Sequence, residues 1–135
     1  MQPPATRRWT PTRADGRDYD PFEHADALGI QVLFRPIRTA NELWLPEHDT
    51  IVIKEGMREV HRRIAAAHGV AHAVLGHVDD QPKHEALADK YAAERLINPV
   101  HIRNLIRVES DAHTIAAELG VTSRLLRVYL NAHPA

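Results

Sequence analysis

The chain has 135 residues, of which 44% are hydrophobic and 26% charged, a composition that fits one globular domain with a modest core and excludes a multidomain assembly. Its 17 Lys and Arg residues against 18 Asp and Glu residues give a formal net charge of -1, so composition gives no reason to expect binding to nucleic acid or to an anionic membrane. Cysteine is absent, which excludes disulfides, thiolate metal clusters and cysteine nucleophiles.

The amino terminus predicts no packed structure. Residues 1–18 are rich in proline and contain four arginines with almost no apolar periodicity, which predicts a mobile basic tail. No apolar signal segment lies between Met1 and Trp9, and the longest apolar stretches are interrupted by His or Arg. We therefore expect a soluble, unexported, cytoplasmic protein with one domain over residues 19–135 and no membrane partner.

The first half of that domain predicts a helix followed by strands. Asp20 as N-cap, Pro21 at the first helical position and Gly29 as a stop define the helix. Three short β-rich runs follow, and they predict a small antiparallel sheet whose last two strands form a hairpin around residues 46–49. The runs are Ile30–Phe34, Leu43–Leu45 and Ile51–Ile53.

The second half predicts helices. Apolar residues and histidines recur at three- and four-residue steps from Met57 to Gly76, which predicts an amphipathic helix with one buried face. A second helix is expected over His84–Ile97, and three short helices over residues 100–108, 113–119 and 123–131. The fold class is thus α+β, a small three-stranded antiparallel sheet packed on a helical bundle with a central metal-binding helix.

Two histidines lie four residues apart on that central helix. His68 and His72 project from the same side and can close on one cation. An isolated pair at this spacing is more often a pair of core or surface histidines. Glu85 and Asp89, also four apart, change the balance, because one can ligate a metal while the other holds the second N–H of a ligating histidine. Two His and one Glu form the ligand set of a catalytic zinc.

The usual base of a zinc peptidase is missing. In the motif H-E-x-x-H the Glu accepts a proton from the attacking water, whereas Gly69 follows His68 here. Removing a general base lowers a rate ~10² to 10⁴-fold, so we expect any peptidase activity to be impaired or absent. His77, just past the helix, is an accessory candidate, although we expect it to be a solvated loop residue.

These segments resemble the ImmA/IrrE-type metallopeptidases of phages, integrating elements and bacteria. The resemblance runs from about Pro21 to Pro99 and depends on two motifs, Arg62–His77 and Glu85–Pro99. It implies His68, His72 and Glu85 as zinc ligands, Asp89 as the group that orients a ligand, a Glu-to-Gly departure at Gly69, and a repressor or other regulator as protein partner. It also implies that an extended substrate pairs with a sheet edge, for which residues 51–54 are the candidate.

The carboxyl-terminal part, residues 100–135, has the outline of a helix-turn-helix. A DNA-reading second helix would present Ser123, Arg124 and Arg127, but the local surplus of one positive charge is thin for a phosphate-binding surface. We expect these helices to pack on the zinc helix instead. The alternative to a peptidase is a non-enzymatic regulatory module that binds a protein or, less readily, DNA; no oligomeric state is predicted.

Overall fold

The computed structural model describes residues 19–134. The predicted basic tail over residues 1–18 lies outside that range. One helix is followed by three strands, and helices alone follow these. In chain order they are α1 Pro21–Ala27, β1 Gln31–Arg35, β2 Glu42–Leu45, β3 Thr50–Lys54, α2 Glu59–Val74, α3 Pro82–Leu96, α4 Pro99–Val108, α5 Ala112–Leu119 and α6 Ser123–Ala132. Within residues 19–134, no helix combines the length and the apolar composition needed to cross a bilayer.

The start of α1 confirms the predicted cap. The Asp20 carboxylate accepts hydrogen bonds from the backbone N–H groups of Phe22 and Glu23, at 2.9 and 3.4 Å, and Pro21 stands in the first turn. These bonds pair two of the N–H groups that a helix start leaves without an intrahelical partner. Gly29 ends the segment with φ 75°, a conformation that favours glycine.

The sheet is mixed, so the prediction of an antiparallel sheet is wrong for one of its two pairings. The strand order is β1-β3-β2, with β3 antiparallel to β2 and parallel to β1. The hairpin of β2 and β3 is confirmed, with a 3-10 turn over Pro46–His48 between the strands. Strand β3 therefore lies between β2 and β1. Its pairing with β1 is parallel, whereas an antiparallel pairing was expected.

The central position of β3 follows from its composition. Thr50, Ile51, Val52 and Ile53 are all buried, and a continuous apolar run is typical of a strand covered on both faces. Residues 51–54 therefore do not form the sheet edge that an extended substrate could pair with, and that prediction is wrong. The strand at the edge on the side of the two histidines is β2.

Helix α2 is the centre of the molecule and is buried on more than one face. Its small residues Ala65, Ala66 and Val70 pack against the sheet. Ala67 belongs to the other core, which α2 forms with the carboxyl-terminal helices. The sequence predicts one buried stripe on this helix, but the observed buried surface is wider and faces both cores. Leu75, near the carboxyl end of the predicted helix, is 42% exposed.

Gly69 lies at a close contact between α2 and the sheet. An ideal Cβ placed on Gly69 would lie 2.8 Å from Ile51 Cγ2 and 3.0 Å from both Ile51 Cδ1 and Cγ1. Real Cβ atoms do not come that near to a neighbour without displacing it, and Ile51 is fully buried. The helix and the strand thus pack at this distance because residue 69 has no side chain.

The carboxyl-terminal helices complete the second core. Leu125, Leu126 and Tyr129 of α6 are buried in the same cluster as Ala92 and Leu96 of α3. Gly120 ends α5 in the left-handed conformation, with φ 73°. Packing on α2 and α3 therefore accounts for the buried apolar residues of these helices.

One buried histidine predicts how stability depends on pH. His24 is 3% exposed and shares a 2.7 Å hydrogen bond with the Tyr19 hydroxyl. Burial lowers the pKa of His24 to about 4, with a further lowering by Arg95. The unfolded chain takes up this proton near pH ~6.5, so the free energy of unfolding is expected to fall as pH decreases from about 6.5 to 4, by at most about 3 kcal/mol from this group.

Urea unfolding of the wild type and of His24→Gln at several pH values, with a chelator present, checks this expectation. Other histidines titrate in both proteins, so the difference between the two curves isolates His24. The gap in unfolding free energy should narrow as the pH decreases through that window. Parallel curves would contradict the assignment of this pH dependence to His24.

Candidate metal centre

The two histidines of α2 meet one carboxylate of α3. His68 Nε2 lies 3.0 Å from Glu85 Oε1, and His72 Nε2 lies 2.8 Å from Glu85 Oε2. The four-residue spacing brings both imidazoles to the side of α2 that faces α3, with ring centroids 4.7 Å apart. The three residues predicted as ligands are therefore next to one another, each presenting a nitrogen or oxygen lone-pair donor.

Asp89 holds the other side of the first histidine. Its Oδ1 lies 3.0 Å from His68 Nδ1 and its Oδ2 accepts a 2.6 Å hydrogen bond from Arg124 Nη2. Burial would raise the pKa of Asp89, but the hydrogen bonds from His68 and Arg124 outweigh it and lower that pKa. The carboxylate is thus charged, and it fixes the orientation of the His68 ring.

His77 is buried rather than solvated, so the expectation of a solvated loop residue is wrong. It is 7% exposed, and its Nδ1 lies 2.9 Å from His72 Nδ1. The Trp44 indole N–H donates to the His77 carbonyl at 3.1 Å, and the His84 ring stacks on the His77 ring at 4.2 Å. His77 therefore orients His72 much as Asp89 orients His68.

Glu42, which the sequence analysis did not identify, belongs to the same cluster. Glu42, His68 and His72 each offer one ligand atom, and these atoms all lie within 4.8 Å of one another. Glu42 is the first residue of β2, 26 positions before His68 in the chain. No local spacing relates the two residues, so only the packing of the sheet on α2 reveals this carboxylate.

The titratable groups of the cluster are shifted in different directions. Burial lowers the pKa of His72, and the neighbouring His68 lowers it further. Burial acts in the same direction on His68, but the hydrogen bond with Asp89 and the charges of Glu42, Asp89 and Glu85 outweigh it, so the pKa of His68 is raised. Burial raises the pKa of Glu42 to about 7, against the charge of His68.

Two clefts open on either side of the cluster. One, of about 400 Å³, is lined by His72 and by residues of β2, and the other, of about 470 Å³, is lined by His68 and Asp89. Glu42 and Glu85 line both clefts and so separate them. A larger cavity of about 610 Å³ lies elsewhere, between Arg63 and α4, and its lining includes none of the cluster.

The donor set fits a divalent transition metal. Imidazole nitrogens with carboxylate oxygens are ligands that zinc accepts, and the second nitrogen of each histidine is held by a neighbouring side chain. Orientation of this kind is typical of metal-ligating histidines. A cation among Glu42, Glu85 and Asp89 would also reduce the repulsion between these neighbouring carboxylates.

A comparison with protein families gives one match. The model of the IrrE N-terminal-like domain, Peptidase_M78, matches residues 25–131. The match covers most of the chain and includes every residue of the cluster described above. No curated protein matches the chain.

Proposed function

The chain belongs to the IrrE N-terminal-like domain family, Peptidase_M78, and we propose that it binds zinc and a protein partner while hydrolysing peptides poorly or not at all. One observation carries the proposal. His68 Nε2 and His72 Nε2 lie 3.0 and 2.8 Å from the two oxygens of Glu85, so these donors are close enough together to share an ion after small adjustments.

The residues divide into ligands and groups that orient them. His68, His72 and Glu85 would hold the ion, Asp89 orients His68, and His77 orients His72. Zinc in such a site supplies a Lewis acid that polarises a carbonyl oxygen. Peptide hydrolysis also needs a side chain that accepts a proton from water, and Gly69 offers none at the motif position.

The partner we propose is an extended protein segment that pairs with the edge strand β2. Strand addition of this kind uses the backbone groups of an edge for affinity and neighbouring pockets for specificity. Leu43 and Val78 line the cleft beside β2 and are 39% and 76% exposed, so apolar side chains of the segment would find contacts there. The resemblance to ImmA/IrrE peptidases suggests a repressor or other regulator.

A non-enzymatic binding module is the second candidate, and the packing at Gly69 favours it. The space that a side chain of residue 69 would need is filled by Ile51, so the site is built around the absence of the motif Glu.

DNA is a weaker choice of partner. Arg124, which a DNA-reading helix would present, donates instead to Asp89.

The test is metal content. Protein purified without chelator is expected to contain about one zinc per chain by elemental mass spectrometry, because the imidazole and carboxylate donors already converge. His72→Ala and Glu85→Ala should each lose most of it. His61→Ala is the matched control, since His61 is an exposed histidine on the same helix about 10 Å from His68 by helical rise. A folded, metal-free wild type would contradict the proposal.

A further inference from the structure

Glu42 has an oxygen atom without a hydrogen-bond partner. Among residues 19–134, Glu42 Oε1 is the one buried side-chain nitrogen or oxygen atom of a non-exposed residue that makes no hydrogen bond. Burying a carboxyl oxygen without a hydrogen-bond partner costs free energy whether or not the group is ionised. Native proteins rarely keep such an atom, so this oxygen calls for a hydrogen-bond donor or a cation.

The surroundings of Glu42 do not supply that partner from the protein alone. Its neighbours in the cluster are His68 and His72, with Glu85 and Asp89 close enough to add negative charge. His68 already faces Glu85 and Asp89 through its two ring nitrogens. His72 faces Glu85 and His77 in the same way. The imidazole nitrogens are therefore engaged, and Glu42 Oε1 is left without a donor.

We infer that Glu42 is a fourth protein ligand of the ion that His68, His72 and Glu85 bind. The inference rests on the proposed function, because it requires metal at those three residues. The geometry agrees with it, since Glu42 has a carboxylate oxygen within 4.8 Å of a ligand nitrogen of both histidines. Two imidazoles and two carboxylates give a neutral complex with a divalent cation, so no uncompensated charge remains buried.

A fourth protein ligand changes what the site does. A catalytic zinc keeps one position open, whereas a zinc with four protein ligands is structural. The ion would join β2, α2 and α3, which provide Glu42, the histidine pair and Glu85 in that order. A closed centre also needs no general base, which agrees with the glycine at position 69. The metal of this chain would thus fix the edge strand to which a partner binds.

The test compares the full chain with Glu42→Gln, which keeps the shape of the side chain and removes its charge. Zinc affinity is measured by competition with a chromophoric chelator, and Co²⁺ is used as a spectroscopic substitute. We expect Glu42→Gln to weaken zinc binding at least about tenfold. The visible absorption spectrum of its Co²⁺ complex should shift relative to the wild type, because water takes the place of a carboxylate ligand. Glu47→Gln, an exposed glutamate of the same hairpin, is the matched control and should match the wild type.

Thermal unfolding gives a second readout, with opposite signs in the two states. With chelator, Glu42→Gln should raise Tm, because a buried unpaired carboxylate is removed. With zinc, the same change should lower Tm, because part of the binding free energy is lost. A purely structural role of Glu42 would shift both values in the same direction.

The outcomes separate this inference from the proposed function. If the wild type binds zinc, Glu85→Ala does not, and Glu42→Gln behaves as the wild type in affinity and Co²⁺ spectrum, the inference is overturned while the three-ligand site stands. If the wild type binds no zinc, both fail. Far-UV circular dichroism of each variant confirms that the chain is folded.

Discussion

Replacing Gly69 with Glu is expected to destabilise the protein by at least about 3 kcal/mol, although it restores the motif H-E-x-x-H. Two costs add up. The new Cβ would lie 2.8 to 3.0 Å from three side-chain atoms of the fully buried Ile51, whose close-packed surroundings leave them little room to shift. The carboxylate would also be introduced at a buried position of α2. A gain in helix propensity of about 1 kcal/mol over glycine does not offset these costs.

A double-mutant cycle measures the steric part. Gly69→Ala introduces the Cβ without a charge, and Ile51→Ala removes all three atoms that it would contact. Ile51→Ala alone should cost about 2 to 5 kcal/mol through the cavity it leaves. The double variant should be more stable than the sum of the two single losses predicts, because each change relieves the defect of the other. Strictly additive unfolding free energies from urea denaturation would contradict this account.

The cycle also bears on hydrolysis. Gly69→Glu by itself is not expected to give peptidase activity, since it disturbs the strand next to the site. Combined with Ile51→Ala, the Cβ of residue 69 no longer meets the three Ile51 side-chain atoms. Cleavage by that double variant, absent from its His72→Ala counterpart, would contradict a closed four-ligand centre, because hydrolysis needs an open metal position as well as a base.

The sequence alone predicts those parts of the site whose side-chain positions follow from helical periodicity. His68 and His72 on one helix, with Glu85 and Asp89 on the next, are each related by four residues. That spacing places two side chains on the same helix face whatever surrounds them. The first helix was equally predictable, because an Asp cap followed by proline specifies a helix start through bonds within four residues.

The sequence was not sufficient where distant segments meet. The order of the strands depends on which of them the helices cover, and the apolar run of β3 indicated burial but not its neighbours. Glu42 reaches the histidines only because β2 packs beside α2. The distance between Gly69 and Ile51 likewise follows from packing, since glycine in a helix predicts instability and not a contact. The burial of His77 could not be predicted from the sequence, because it depends on the loop folding back onto His72.

Asp89→Ala is expected to weaken zinc binding about 10- to 100-fold. The carboxylate lies 3.0 Å from His68 Nδ1, so it fixes the ring with Nε2 directed at the proposed metal site. Without Asp89 the His68 ring can rotate. The conformational entropy lost when zinc orders the ring then weakens zinc binding. The zinc affinity of the purified variant, measured by chelator competition, checks the expectation.

Arg124→Ala separates the two contacts that Asp89 makes. Arg124 Nη2 donates to Asp89 Oδ2 at 2.6 Å from an arginine whose side chain is 65% exposed, and exposed ion pairs contribute little. If Asp89 acts by orienting His68, then Arg124→Ala should retain zinc affinity within a few-fold of the wild type. If instead the contact between α3 and α6 controls the site, then Arg124→Ala and Asp89→Ala should lose affinity equally. The first result is expected, because His68 Nδ1 faces the carboxylate directly whereas Arg124 reaches it from the surface.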